Sequence, residues 1–159
     1  MRKSGVLTLF VLLMLVFVST QNLAAAGLGS SRIGLGLGTP NAVLIYRPTP
    51  FDLRLGYDFT EGSQFIFISG DWRPAGYIPI SGPLYCYFGL GAYAKFYPES
   101  SADDVVEWGT RLPVGISLLF LDNIAELFVE VAPGFDLYPK PAFSDDPVQF
   151  WVGLSFAIQ

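Results

Sequence analysis

The chain has 159 residues, 52% hydrophobic and only 14% charged, with nine basic residues, fourteen acidic ones and no histidine. The missing histidine excludes Ser-His and Cys-His nucleophiles, imidazole metal ligands and a histidine proton shuttle. No basic stretch offers an electrostatic footprint for nucleic acid, and the lone Cys86 cannot close an internal disulfide.

Residues 1 to 26 read as a cleavable secretory signal. Arg2 and Lys3 give the positive start, Val6 to Val18 the apolar core, and Ala24-Ala25-Ala26 the small residues for cleavage. The apolar run is short for a membrane helix, and no Cys follows it to carry a lipid anchor. Without Arg2 and Lys3, seven basic and fourteen acidic residues remain, a net charge of −7. The remainder, 27 to 159, has the length of one domain.

Eight strand-like segments follow, bounded by Gly, Pro, Asn or Asp. They are Ser31 to Gly38, Asn41 to Arg47, Phe51 to Phe59, Ser63 to Arg73, Leu84 to Tyr97, Glu107 to Leu121, Ile124 to Tyr138 and Val148 to Ile158. The third shows the pattern most clearly: Phe51, Leu53, Leu55, Tyr57 and Phe59 alternate with Asp52, Arg54, Gly56 and Asp58, the period of a strand and not of a helix. The fifth sets Leu84, Cys86, Phe88 and Leu90 against Tyr85, Tyr87, Gly89 and Gly91, which makes Cys86 a small apolar packing residue. The sixth sets Leu112, Val114, Ile116 and Leu118 against Arg111, Gly115 and Ser117. In the seventh, Leu127, Val129, Val131 and Phe135 oppose Glu126, Glu130, Gly134 and Asp136. The eighth sets Val148, Phe150, Val152, Leu154, Phe156 and Ile158 against Gln149, Trp151, Gly153, Ser155 and Ala157.

The second face decides which side is inside. A water-facing exterior would be crowded with Lys and Glu, whereas this face is mainly Gly, Ser, Ala and Tyr with scattered charges. Small residues such as Gly34, Gly36, Gly89, Gly91 and Gly153 suit the cramped interior of an eight-stranded barrel. The expected fold is therefore all-β: an antiparallel up-and-down transmembrane β-barrel of about eight strands, apolar face toward lipid. An even strand count puts both termini on the periplasmic side. Connections at 48 to 50, 74 to 83 and 122 to 123 then face the periplasm; Glu61-Gly62, 98 to 106 and 139 to 147 face outward. The last two carry Glu99, Asp103, Asp104, Asp145 and Asp146 as an acidic, solvated rim.

Inside such a barrel lie Asp52, Arg54, Asp58, Asp71, Lys95, Arg111, Glu126, Glu130 and Asp136. Three bases among six acids suggest a structural ionic network in which Arg54 and Arg111 bridge carboxylates through bidentate forks. Arg111 is expected to partner Glu126 or Glu130. Those two glutamates sit four residues apart on one strand face, about 13 Å, too far for a glycosidase pair at about 5 to 9.5 Å. No catalytic residue, cofactor or metal is assigned. Tyr85, Tyr87 and Tyr93 are expected to fill the lumen. Tyr46, Phe51, Trp72, Tyr77, Phe96, Tyr97, Trp108, Phe135 and Tyr138 lie near segment ends as interfacial girdles.

The signal, the short alternating strands, the glycine-aromatic fifth segment and the amphipathic last strand resemble the small eight-stranded outer-membrane barrels, the architecture of the OmpA transmembrane domain and OmpX. The stretches 111 to 116 (RLPVGI) and 128 to 134 (FVEVAPG) are similar to small spirochaetal barrels. The resemblance implies outer-membrane lipid as surroundings and insertion by the outer-membrane assembly machinery, which reads a last strand ending in an aromatic residue. Here Phe156 is the last aromatic and Gln159 the terminus. It implies no single activity.

Three readings stand at this point. The first is a non-enzymatic integral outer-membrane barrel with a side-chain-filled lumen, serving envelope structure or surface interaction, and a narrow pore is its variant. The other is a soluble, secreted or periplasmic lipocalin-like barrel holding an apolar ligand among Leu53, Leu55, Phe88, Leu90, Val129 and Val152.

Overall fold

The computed structural model describes residues 27–60, 64–98 and 106–158, with the side chains of 144–147 set aside. The expected signal, the Glu61-Gly62 connection, Glu99, Asp103, Asp104 and Gln159 lie outside the described residues, as do the side chains of Asp145 and Asp146. The structure is 73% strand, with no helix among the described residues. Consequently no helix there is long and apolar enough to cross a membrane, which leaves strand-built crossings untouched.

The strands are β1 (Ser31–Gly38), β2 (Ala42–Arg47), β3 (Phe51–Asp58), β4 (Phe65–Trp72), β5 (Ile78–Ser81) and β6 (Leu84–Phe88). They continue as β7 (Leu90–Phe96), β8 (Val106–Arg111), β9 (Val114–Phe120), β10 (Ala125–Tyr138) and β11 (Ala142–Ile158). All pairings are antiparallel, and hydrogen bonds run β11-β1-β2-β3-β4-β7-β8-β10 and back to β11, a ring through eight strands. β9 and β6 extend β8 and β7 along the wall, and β5 pairs with β6 outside the ring.

Residues opposite one another across a ladder share a face, so one parity can be followed along the wall from β4 through β11 and β10 to β6. Ile68, Leu55, Leu44, Leu35, Leu154, Leu127, Leu118 and Leu84 are successive cross-strand partners. They form an aliphatic belt on the outer face. The other parity carries the buried charges. In β3 every odd residue from Phe51 to Tyr57 is exposed and every even one from Asp52 to Asp58 buried.

Bulky interior side chains fit because glycine lies beside them. Gly115 stands between Tyr87 and Glu130 on the neighbouring strands, and a Cβ there would run into the Tyr87 ring. Gly153 faces Phe128 across the β10–β11 ladder, and its added Cβ would collide with that ring. An apolar cluster of Val43, Ile45, Phe65, Phe67, Tyr93, Phe128, Ala132 and Trp151 shares the interior with the charges.

Several boundaries differ from the expected ones, each for a local reason. The fifth and sixth segments are each broken, at Gly89 and at Leu112-Pro113, and the breaks face one another: the Gly89 N–H donates to the Pro113 carbonyl at 2.8 Å. Pro113 has no N–H for the ladder, and the Leu112 N–H goes to the Pro133 carbonyl at 3.0 Å, beside a bulge in β10 between Pro133 and Phe135. β5 lies inside the expected 74 to 83 connection, because four residues including Pro79 carry little periodicity. The expected 139 to 147 connection is shorter, since β11 already starts at Ala142.

Two girdle assignments are corrected. Tyr77 is half-buried, its ring against the Arg32 and Arg73 guanidiniums at 5.8 and 4.8 Å. Tyr97 is half-buried too, packed on Phe65 and donating to Glu107 at 2.8 Å. Tyr46, Phe51, Trp72, Phe96, Trp108 and Tyr138 are exposed. Leu53, Leu55, Phe88, Leu90, Val129 and Val152 are all exposed on the outer face, so they line no internal apolar cavity.

Candidate functional site: the ionic interior

The buried charged residues among those described are six cations, Arg32, Arg47, Arg54, Arg73, Lys95 and Arg111, and six acids, Asp52, Asp58, Asp71, Glu126, Glu130 and Asp136. The expected ratio of three bases to six acids is thus corrected to parity by Arg32, Arg47 and Arg73. The strand period places them: Arg32 is in phase with Gly34 and Gly36, and Arg47 with Val43 and Ile45. Arg73 extends the parity of Ser69 and Asp71 past the end of β4.

Most of these charges form one continuous chain of alternating sign. Arg32 Nε lies 3.9 Å from Glu126, which also takes Arg47 Nη1 at 2.8 Å. Arg47 Nε donates to Asp52 Oδ2 at 2.7 Å, and Arg54 Nη2 donates to the same oxygen at 3.0 Å. Arg54 then forks onto Glu130 through Nη1 and through Nη2, the latter at 2.6 Å. Arg111 Nη2 donates to Glu130 at 2.6 Å, and its Nε lies 2.9 Å from Asp71 Oδ1, an ionic contact without hydrogen-bond alignment. Arg73 adds a longer contact to Asp52 at 3.8 Å.

These contacts cross the ring and do not merely follow it. Arg47 on β2 and Arg54 on β3 both reach carboxylates on β10, which pairs with neither strand. Neutral groups complete the carboxylates: Ser117 and Ser155 Oγ each donate to Glu126 at 2.5 Å, and Tyr87 Oη to Glu130 at 2.8 Å. Aromatic faces cover the guanidiniums. Trp151, fully buried, has Arg54 Cζ at 4.9 Å and Arg111 Cζ at 4.7 Å, and Phe128 lies 4.4 Å from Arg47 Cζ.

Of the nine charged residues expected inside, six meet: Asp52, Arg54, Asp71, Arg111, Glu126 and Glu130. Arg111 chooses Glu130, while Glu126 belongs to Arg47. Lys95 and Asp58 lie at the opposite end of the ring, where Lys95 Nζ pairs with Glu107 at 3.3 Å and Asp58 accepts the Thr60 N–H at 2.8 Å. Tyr93 Oη donates to Asp136 at that end. Tyr87 and Tyr93 fill the interior as expected, whereas Tyr85 is half-buried and stacks edge-on with Tyr77 at 5.9 Å.

Chemically, the central carboxylates are committed acceptors. Glu126 and Glu130 each receive hydrogen bonds from guanidinium and hydroxyl donors, which hold them in place. Such an arrangement ties strands together across the interior and fills it with side chains. Comparison with protein-family models, with characterised proteins and with solved structures finds no match to this chain.

Proposed function

We propose that the chain is a non-enzymatic integral outer-membrane β-barrel with a side-chain-filled lumen, serving envelope structure or surface interaction. The observation that carries this reading is the inverted distribution of polarity: buried ionic residues inside the ring, and Leu35, Leu44, Leu55, Leu154, Leu127 and Leu118 in a belt round the outside. In water, exposing so much contiguous apolar surface is costly; in lipid it is the required arrangement. The closed hydrogen-bonded ring of eight strands also suits a bilayer, where unpaired backbone groups have no water to bond.

The termini then lie on the periplasmic side, with the 48–50, 73–77 and 121–124 connections, after export directed by residues 1 to 26 and insertion by the assembly machinery. The ionic chain is the plug, favoured over the narrow-pore variant because guanidiniums and carboxylates from opposite walls meet. The soluble lipocalin-like alternative has nothing comparable in its favour, since its six ligand-lining candidates face outward.

Cell fractionation tests the reading. The mature chain is expected in the outer-membrane fraction, released by detergent and not by high salt or alkaline carbonate. Recovery in the detergent-free periplasmic fraction would overturn it.

A further inference from the structure

At the end of the ring where β1 begins and β11 ends, buried hydrogen-bond donors outnumber the acceptors that meet them among the described residues. Arg32 Nε and Nη1, Arg47 Nη2, Arg73 Nε and Nη2 and Tyr77 Oη are all buried without a hydrogen-bond partner. Arg32, Arg47 and Arg73 are 1%, 2% and 5% exposed, so bulk water does not reach them. Shared aromatic faces bring them together: Arg32 and Arg73 lie over the Tyr77 ring, and Arg47 and Arg73 over the Tyr87 ring at 5.5 and 4.0 Å. Burial, and the Glu126 carboxylate after it, push the Tyr77 hydroxyl above its ordinary pKa, so it stays a donor.

The charge count agrees. The continuous network holds five guanidiniums, Arg32, Arg47, Arg54, Arg73 and Arg111, against four carboxylates, Asp52, Asp71, Glu126 and Glu130. One positive charge is left over in a buried set, where an uncompensated charge is unfavourable. The surplus sits at that same end, where the carboxylate contacts among the described residues are long, Arg73 to Asp52 at 3.8 Å and Arg32 to Glu126 at 3.9 Å, with Arg32 Nη2 donating to the neutral Asn123 carbonyl.

We infer that Arg32, Arg47, Arg73 and Tyr77 form a binding site for one small inorganic anion, of halide or simple oxyanion chemistry. The anion neutralises the odd charge and accepts the donors that no described residue takes. Guanidinium forks and a phenol O–H suit such a guest. The site rests on the interior of the ring alone and holds whether or not the outer face meets lipid.

The test is thermal unfolding of the folded mature chain, titrated separately with sodium chloride and sodium phosphate. Ionic strength is held constant with sodium gluconate, whose bulkier anion serves as the reference. The midpoint is expected to rise with the logarithm of anion concentration; a response to chloride alone assigns a halide, and a response to phosphate an oxyanion. Arg73→Gln and the milder Tyr77→Phe are expected to raise the half-saturating concentration about tenfold or more. Lys140→Gln, exposed at the opposite end, is expected to leave it unchanged. Tyr77→Phe decides the matter if Arg73→Gln does not fold. A midpoint indifferent to both anions would mean that water alone meets these donors, and would overturn the inference; so would an anion response unaltered in Tyr77→Phe.

Discussion

Glu130→Gln removes one charge from the middle of the ionic chain while keeping shape and volume. Four hydrogen bonds end on that carboxylate, two from Arg54 and one each from Arg111 and Tyr87. Two of the donors keep a neutral carbonyl acceptor and two meet the new amide NH2, and each bond so weakened or lost costs about 1 kcal/mol or more. The sum, about 4 kcal/mol, falls within the roughly 3 to 5 kcal/mol that breaking a buried ion pair costs. Urea unfolding of the chain folded in detergent micelles measures it through tryptophan emission, because Trp151 lies between the two guanidiniums that Glu130 holds. Val129→Ala, one residue away and outward-facing, is the comparator and is expected to cost less than about 1 kcal/mol. The deficit of Glu130→Gln is expected to persist at high salt, since buried pairs are poorly screened. A cost no larger than that of Val129→Ala would refute the account of the interior given above.

Three other outcomes follow from the same geometry. Leu90→Arg, on the outer face, is expected to cost about 2 to 4 kcal/mol in a bilayer and to impair insertion; unaltered insertion in a vesicle-folding assay would contradict a lipid-facing Leu90. Gly153→Ala drives a methyl into the Phe128 ring and is expected to cost about 1 to 3 kcal/mol. Gly70→Ala meets only Leu53 at 3.5 Å and is expected to stay within about 0.5 kcal/mol, with urea midpoints giving both values. In planar bilayers the unmodified chain is expected to show no steady channel, and a persistent open conductance would count against a filled lumen.

The period of two made most of the wall legible: β1 and β3 begin where the alternation begins, and the faces of β3, β9, β10 and β11 follow from parity alone. What hid Arg32, Arg47 and Arg73 is their position at strand ends. Arg47 and Arg73 precede prolines and Arg32 follows two serines, contexts in which a charge usually points into solvent. Parity did mark them, since Arg73 is in step with Asp71. The pairing of Arg47 with Glu126 and of Arg54 with Glu130 depends on which strands face one another across the closed ring, and no local pattern encodes that. β5 was illegible for the opposite reason, being defined by its β6 partner and hardly at all by its own sequence.

The partners in the ionic chain are far apart along the polypeptide: Arg47 and Glu126 by 79 residues, Arg54 and Glu130 by 76. Until β10 arrives, the guanidiniums of β2 and β3 have no carboxylate on β10 to meet, and until β11 pairs with β1 the ring stays open. A form without β10 therefore keeps the local Arg47–Asp52–Arg54 contacts but lacks the glutamates that complete them. A chain arranged in this way is expected to fold slowly for its size because its decisive contacts are so remote, and a truncation that removes β10 and β11 forfeits Glu126, Glu130 and the closure together.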